Sequence, residues 1–125
     1  MALITVAEDD DDLRPVIVRV LERAGHEVVA VGDGGAGLAE LRRRRPDVLV
    51  TDLDMPVLTG TQMCRRAAAE GLLDGVLIMV VSGALPRGAD PHDALPTNTV
   101  LRKPFTGTDL LRCLRALMDP SAPTP

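Results

Sequence analysis

Five polar positions stand at the ends of short, mostly apolar runs. Glu8 and Asp9 follow Leu3–Ala7, Asp52 follows Val48–Thr51, Ser82 follows Val76–Val81, and Lys103 follows Thr99–Arg102. Three carboxylates gathered in one place repel each other, and at least one would be driven toward its neutral form. A hard divalent cation removes that conflict, and carboxylates with a backbone carbonyl suit Mg²⁺, with Mn²⁺ as an alternative. Such an ion keeps waters in its shell and can hold phosphoryl oxygens. One acid can then act as a nucleophile and form an acyl phosphate. An ammonium such as Lys103 offsets charge on the transferring group, and a hydroxyl such as Ser82 can donate to it. Asp52 is the expected nucleophile. The segment after it contains Pro56 and Gly60, which turn the chain away and leave the carboxylate open.

These positions converge only if the runs are parallel strands. Leu3–Ala7, Glu27–Val31, Val48–Thr51, Val76–Val81 and Thr99–Arg102 read as five strands. Between them, apolar residues recur at helical spacing: Leu13, Ile17, Val20, Leu21 and Ala24, then Leu38 and Leu41, then Met63, Cys64 and Ala67. A last helix opens with Thr106-x-x-Asp109, close to a capping box, and carries Leu110, Cys113, Leu114 and Leu117. Fully apolar strands alternating with amphipathic helices imply a parallel sheet covered on both faces. In such open sheets, ligands sit beyond the carboxyl ends of the strands, where the winding reverses. The segment Ala84–Asn98 breaks the pattern. Pro86, Pro91 and Pro96 leave room for at most a short or irregular fourth helix.

The 125 residues suit one domain, expected to span 1–119, with 120–125 as a flexible tail. One Phe, no Tyr and no Trp argue against stacking on nucleic-acid bases, and a net charge of −4 argues against a phosphate-backbone partner. The basic run Arg42–Arg45 reads as a solvated helix end. No apolar run approaches membrane-spanning length and no signal peptide is present, so a cytoplasmic setting is expected. Cys64 and Cys113 read as buried free thiols, and His26 and His92 as residues without a metal or phosphoryl role. Asp10, Asp11 and Asp12 begin a helix, and capping that complements the dipole is the preferred reading for Asp11 and Asp12.

The segments VAEDDDDLR, PDVLVTDLDMPVLTG, VLIMVVSGA and LRKPF, in that order, resemble the receiver domain of bacterial two-component response regulators over about residues 3–118. The resemblance implies a flavodoxin-like (βα)5 three-layer sandwich with a five-stranded sheet of order 2-1-3-4-5. It implies phosphotransfer from a histidine kinase or a histidine phosphotransfer protein, and a domain that assists its own phosphorylation and dephosphorylation without turning over an external substrate. By position, Asp52 is the phosphoacceptor. Asp9, Asp52 and the backbone carbonyl of Asp54 hold Mg²⁺, with Glu8 as an outer acid acting through water. Ser82 is the switch hydroxyl and Lys103 the phosphoryl-binding lysine, with a cis bond to Pro104. Val100 stands where the family usually has an aromatic switch residue, so the usual coupling of hydroxyl and ring is lost. The Asp54 carboxylate, at the mouth of the site, is expected to influence acyl-phosphate lifetime.

Three other readings compete. Gly32-x-Gly34-x-x-Gly37 matches a dinucleotide fingerprint, but it follows the second strand, lies beside an acid cluster and has no second mononucleotide half. Asp52-x-Asp54 resembles the haloacid dehalogenase phosphatases, which use an aspartyl phosphate to hydrolyse external esters. That family places its second acid pair after the lysine, whereas here the acids precede Asp52. A phosphorylation-independent interaction domain would be expected to lack acids or lysine, and all are present.

Overall fold

The computed structural model describes residues 1–83 and 99–119. The expected irregular fourth helix and the tail at 120–125 lie outside the described residues. In chain order the elements are β1 (Leu3–Ala7), α1 (Leu13–Arg23), β2 (Glu27–Val31), α2 (Gly34–Arg43), β3 (Val48–Asp52), α3 (Gly60–Ala69), β4 (Leu77–Ser82), β5 (Thr99–Arg102) and α4 (Gly107–Met118). All five strands are parallel and run in the order β2-β1-β3-β4-β5, as expected.

The sheet is covered on both faces because its inner strands are buried at nearly every position and mostly apolar, with alternate side chains pointing to opposite sides. Ile4, Val6, Val48, Val50, Met79 and Val81 pack on one side against Ile17 and Leu21 of α1 and Leu110 and Leu114 of α4. Leu49, Ile78 and Val80 pack on the other against Leu38 and Leu41 of α2 and Met63, Cys64 and Ala67 of α3. Leu49 is fully buried, and its truncation to alanine would cost about 2–5 kcal/mol by the usual core measure.

Local chemistry sets the helix ends. After α1, the Gly25 amide donates to the Glu22 carbonyl and the His26 amide to the Leu21 carbonyl, a Schellman closure. His26 also fastens the sheet edge, since its Nδ1 accepts from the Ala2 amide at 3.1 Å. The expected capping by Asp11 and Asp12 is corrected. Asp10 does the work: its Oδ1 accepts from the amides of Asp12 (2.8 Å) and Leu13 (3.1 Å), while Asp12 makes no side-chain cap. Asp10 stands far enough before the first helical residue for its carboxylate to fold forward onto two open amides. Those bonds hold its pKa below the ordinary carboxylate value. Cys64 is buried and free as expected, whereas Cys113 is free but only half-buried.

At the end of α2, the four arginines are tied locally. Arg42 forms a bidentate pair with Glu70 (2.9 and 2.8 Å), Arg43 meets Glu40, Arg44 meets Glu27, and Arg45 donates to the Gly71 carbonyl.

Candidate functional site

Parallel pairing carries the acids to one edge of the sheet. β1 and β3 are neighbours, with Ala7 opposite Thr51, so the chain leaves them side by side as Glu8-Asp9 and Asp52. This is also where the winding reverses, since β1 is flanked by β2 on one side and β3 on the other. One carboxylate oxygen from each of Glu8, Asp9 and Asp52 can be chosen so that all lie within 4.8 Å of one another. Glu8 is fully buried, Asp52 is 6% exposed and Asp9 is open to solvent.

Lys103 enters from the far side. Its Nζ lies 2.6 Å from Asp52 Oδ2 and 2.8 Å from Glu8 Oε1. The contact with Asp52 is a hydrogen bond. That with Glu8 is an ion pair only, and Glu8 Oε1 stays buried without a hydrogen-bond partner. The other Glu8 oxygen accepts from the Asp10 amide at 3.1 Å. The Lys103–Pro104 peptide bond is cis. The Lys103 amide donates to the Ser82 carbonyl, which ties the end of β5 to the end of β4. Ser82 itself is buried at the last position of β4.

The titration of the cluster follows from its burial. Desolvation pushes the Glu8 carboxyl above its ordinary range, and the nearby Asp52 charge adds to this. Lys103 and the Asp10 amide pull the other way without cancelling it. Burial works against the charged form of Lys103, but its close pairing with the Asp52 and Glu8 carboxylates outweighs this, and its pKa is raised.

The loop after β3 is held by close backbone contact. The Gly60 amide donates to the Leu53 carbonyl at 2.7 Å, and a Cβ on Gly60 would collide with the Asp52 carbonyl. The Asp54 amide donates to Asp52 Oδ1 at 3.3 Å, and its own side chain is exposed. Val57, at the loop tip, is 78% exposed and has φ of +71°. The glycines of the apparent dinucleotide fingerprint serve packing. A Cβ on Gly34 would strike the Leu58 carbonyl, and one on Gly37 the Met63 sulfur, so helix α2 can lie against this loop and α3.

The donor set tests a cation's fit. It consists of hard oxygens, it concentrates negative charge, and it includes a buried carboxylate oxygen short of hydrogen bonds. That chemistry fits a small divalent ion. Val100 is half-buried on β5 and packs into the α2–α3 side of the core.

Sequence reasoning missed Arg14. Its Nη1 donates to the Glu8 carbonyl at 2.9 Å and its Nη2 to Asp11 Oδ1 at 2.7 Å. A signal was available. Arg14 is in the first turn of α1, where the helix dipole disfavours a cation.

Known proteins carry the same frame. The family model for the response regulator receiver domain matches residues 4–115. The transcriptional regulatory protein CseB of Streptomyces coelicolor is 35% identical over 118 residues, which are 89% of this chain and 47% of that protein. This chain therefore spans about half of that relative's length. The response regulator receiver protein CpdR of Brucella abortus is 31% identical over 119 residues, with 94% of this chain and 98% of that protein covered. Among solved structures, the chemotaxis response regulator CheY4 of Vibrio cholerae superimposes with a TM-score of 0.86 at 27% identity, covering 94% of this chain and 98% of that one. The receiver domain of the sensor histidine kinase PA1611 of Pseudomonas aeruginosa has a TM-score of 0.83 at 28% identity, covering 94% and 97%. Its structure has a magnesium ion coordinated in the active site cleft.

Proposed function

Because the chain belongs to the response regulator receiver family, we propose that Asp52 accepts a phosphoryl group from a histidine kinase or a histidine phosphotransfer protein and that the domain acts as a phosphorylation switch. The observation that carries this is the convergence of Glu8, Asp9 and Asp52 at one end of the sheet, with the Lys103 ammonium 2.6 Å from the Asp52 carboxylate.

Asp9, Asp52 and the Asp54 backbone carbonyl would hold Mg²⁺ or Mn²⁺, with Glu8 acting from behind through water. When bound, the ion would neutralise the clustered carboxylates and the phosphoryl oxygens near them. The chain's own residues do the rest. An Asp52 carboxylate oxygen forms the O–P bond as the N–P bond of a phosphohistidine breaks. The electron pair of the broken bond stays on the imidazole nitrogen, which takes up a proton. Lys103 would follow charge from the carboxylate to the phosphoryl oxygens, and Ser82 would donate a hydrogen bond to them. Burial of Glu8 and Asp52 keeps competing water away and strengthens these interactions.

Residues 1–119 would form the receiver unit. Among the described residues no helix is long and apolar enough to cross a membrane, and a receiver fed by a kinase core would work in the cytoplasm. With Val100 in the usual aromatic position, the switch would report through Ser82 without a moving ring.

Incubation with a small phosphodonor such as acetyl phosphate, with and without Mg²⁺, tests the reading. Wild type should take up about one phosphoryl group per chain, only with the metal present, and Asp52→Asn should take up none. Label that persists in Asp52→Asn overturns the assignment. Turnover of an external phosphate ester would favour the phosphatase reading, and failure of wild type to label would favour a phosphorylation-independent interaction domain.

A further inference from the structure

We propose that Arg14 is a positioning residue for the cation site, a role that rests on the metal reading above. The Glu8 and Asp9 carboxylates are borne on the short stretch between β1 and α1. Arg14 holds that stretch from within α1. One guanidinium nitrogen donates to the Glu8 carbonyl at 2.9 Å, and the other pairs with Asp11 at 2.7 Å. The Glu8 carbonyl belongs to the peptide unit joining Glu8 to Asp9. Fixing that unit fixes where the Asp9 side chain leaves the backbone.

The same guanidinium also lies over the turn after β2. A Cβ on Gly32 would be 3.1 Å from Arg14 Nη1, so this turn leaves room for the arginine. Arg14 thus joins two loops at the carboxyl end of the sheet. Its place in the first turn of a helix is unfavourable to a cation. The pair with Asp11 gives little back, since Asp11 is 88% exposed. The bond to the Glu8 carbonyl is what distinguishes this position from an ordinary surface arginine.

Two effects of removing Arg14 have opposite signs. Loss of a positive charge near a cation site would tighten metal binding. Loss of the strap on the Glu8–Asp9 peptide would weaken it, as removal of outer partners of metal ligands does, by 10–100-fold in known sites. The strap should win, because the 2.9 Å bond acts directly on the peptide that bears Asp9, whereas the guanidinium charge acts on the ion only through space.

The test is Mn²⁺ binding to the unphosphorylated full chain, read from the electron paramagnetic resonance signal of free Mn²⁺, alongside circular-dichroism melting without metal. Arg14→Ala should bind Mn²⁺ roughly tenfold more weakly. Arg14→Lys keeps the charge and can reach one carbonyl, so its affinity should fall between Arg14→Ala and wild type. Wild-type or tighter binding by Arg14→Ala overturns the proposal, as does a lysine variant no better than alanine. If Arg14→Ala fails to fold, Arg14→Lys decides alone: an intermediate loss supports the role and wild-type affinity refutes it. Wild type that binds no Mn²⁺ would instead sink the metal reading itself.

Discussion

Val57 sits at φ of +71° on the loop that follows Asp52, a conformation β-branched residues rarely adopt. Its side chain is mostly exposed, so little burial compensates for the strain. Asparagine tolerates this region far better. Val57→Asn should therefore raise unfolding free energy by about 1 kcal/mol, and an unchanged or lower urea midpoint would refute this. Cys64 gives a second residue-level prediction. Burial pushes its thiol up to about 12 from an ordinary value of 9.0. The folded pKa is the higher one, so the stability that depends on the neutral thiol is complete below pH 9 and is lost as pH climbs toward 12. In native protein at pH 8, iodoacetamide should modify the half-buried Cys113 well before Cys64, as mass spectrometry can follow.

Helices α3 and α4 both begin with a reciprocal capping box. The Thr59 hydroxyl accepts from the Gln62 amide while the Gln62 side chain accepts from the Thr59 amide; Thr106 and Asp109 repeat the pattern. Thr59→Ala should cost about 1 kcal/mol by chemical denaturation. Asp109 adds a pH dependence. Hydrogen bonds at Thr106 lower its pKa, so its contribution is complete above the ordinary carboxylate value of 3.8 and is lost as pH falls through the depressed one. Asp109→Asn should flatten that part of the acid limb, and an unchanged acid limb would count against the box. Such devices also show what a sequence discloses. Thr106-x-x-Asp109 was readable as a cap because two side chains at fixed spacing each accept from the other's backbone amide. The bounds of β1, β2 and β5 were legible from apolar runs alone. β3 and β4 run one residue further, to Asp52 and Ser82, because a ladder is built from backbone groups and a polar side chain does not end it, and β4 also begins one residue later, at Leu77, since the Val76 amide bonds back to the Leu73 carbonyl. The sequence marked three consecutive acids at this helix start, but residue type alone does not say which of them folds forward onto the open amides, and it is Asp10. Arg14 stood out only as a cation in the first turn of α1, and its partner was hidden because it is a backbone carbonyl.

At the scale of the whole molecule, the four receiver motifs made the fold and the acid cluster legible before any coordinates. The local straps were not, because they depend on which backbone groups face each other after folding. Since a ligand of the folded state stabilises it by mass action, Mg²⁺ at a hundred times its dissociation constant should add about 2.7 kcal/mol to unfolding. The gain should vanish in Asp9→Asn. Circular dichroism is the suitable monitor, since the chain has no Trp or Tyr. The strand order carries a consequence for synthesis. The acids of β1 and β3 emerge from a ribosome early, and their balancing ammonium arrives only with the strand at the far edge of the sheet. A chain stalled before that strand holds three carboxylates and no lysine among them. On the proposed reading, competence would then be timed by translation: an unfinished chain would carry Asp52 but not the ammonium that pairs with it.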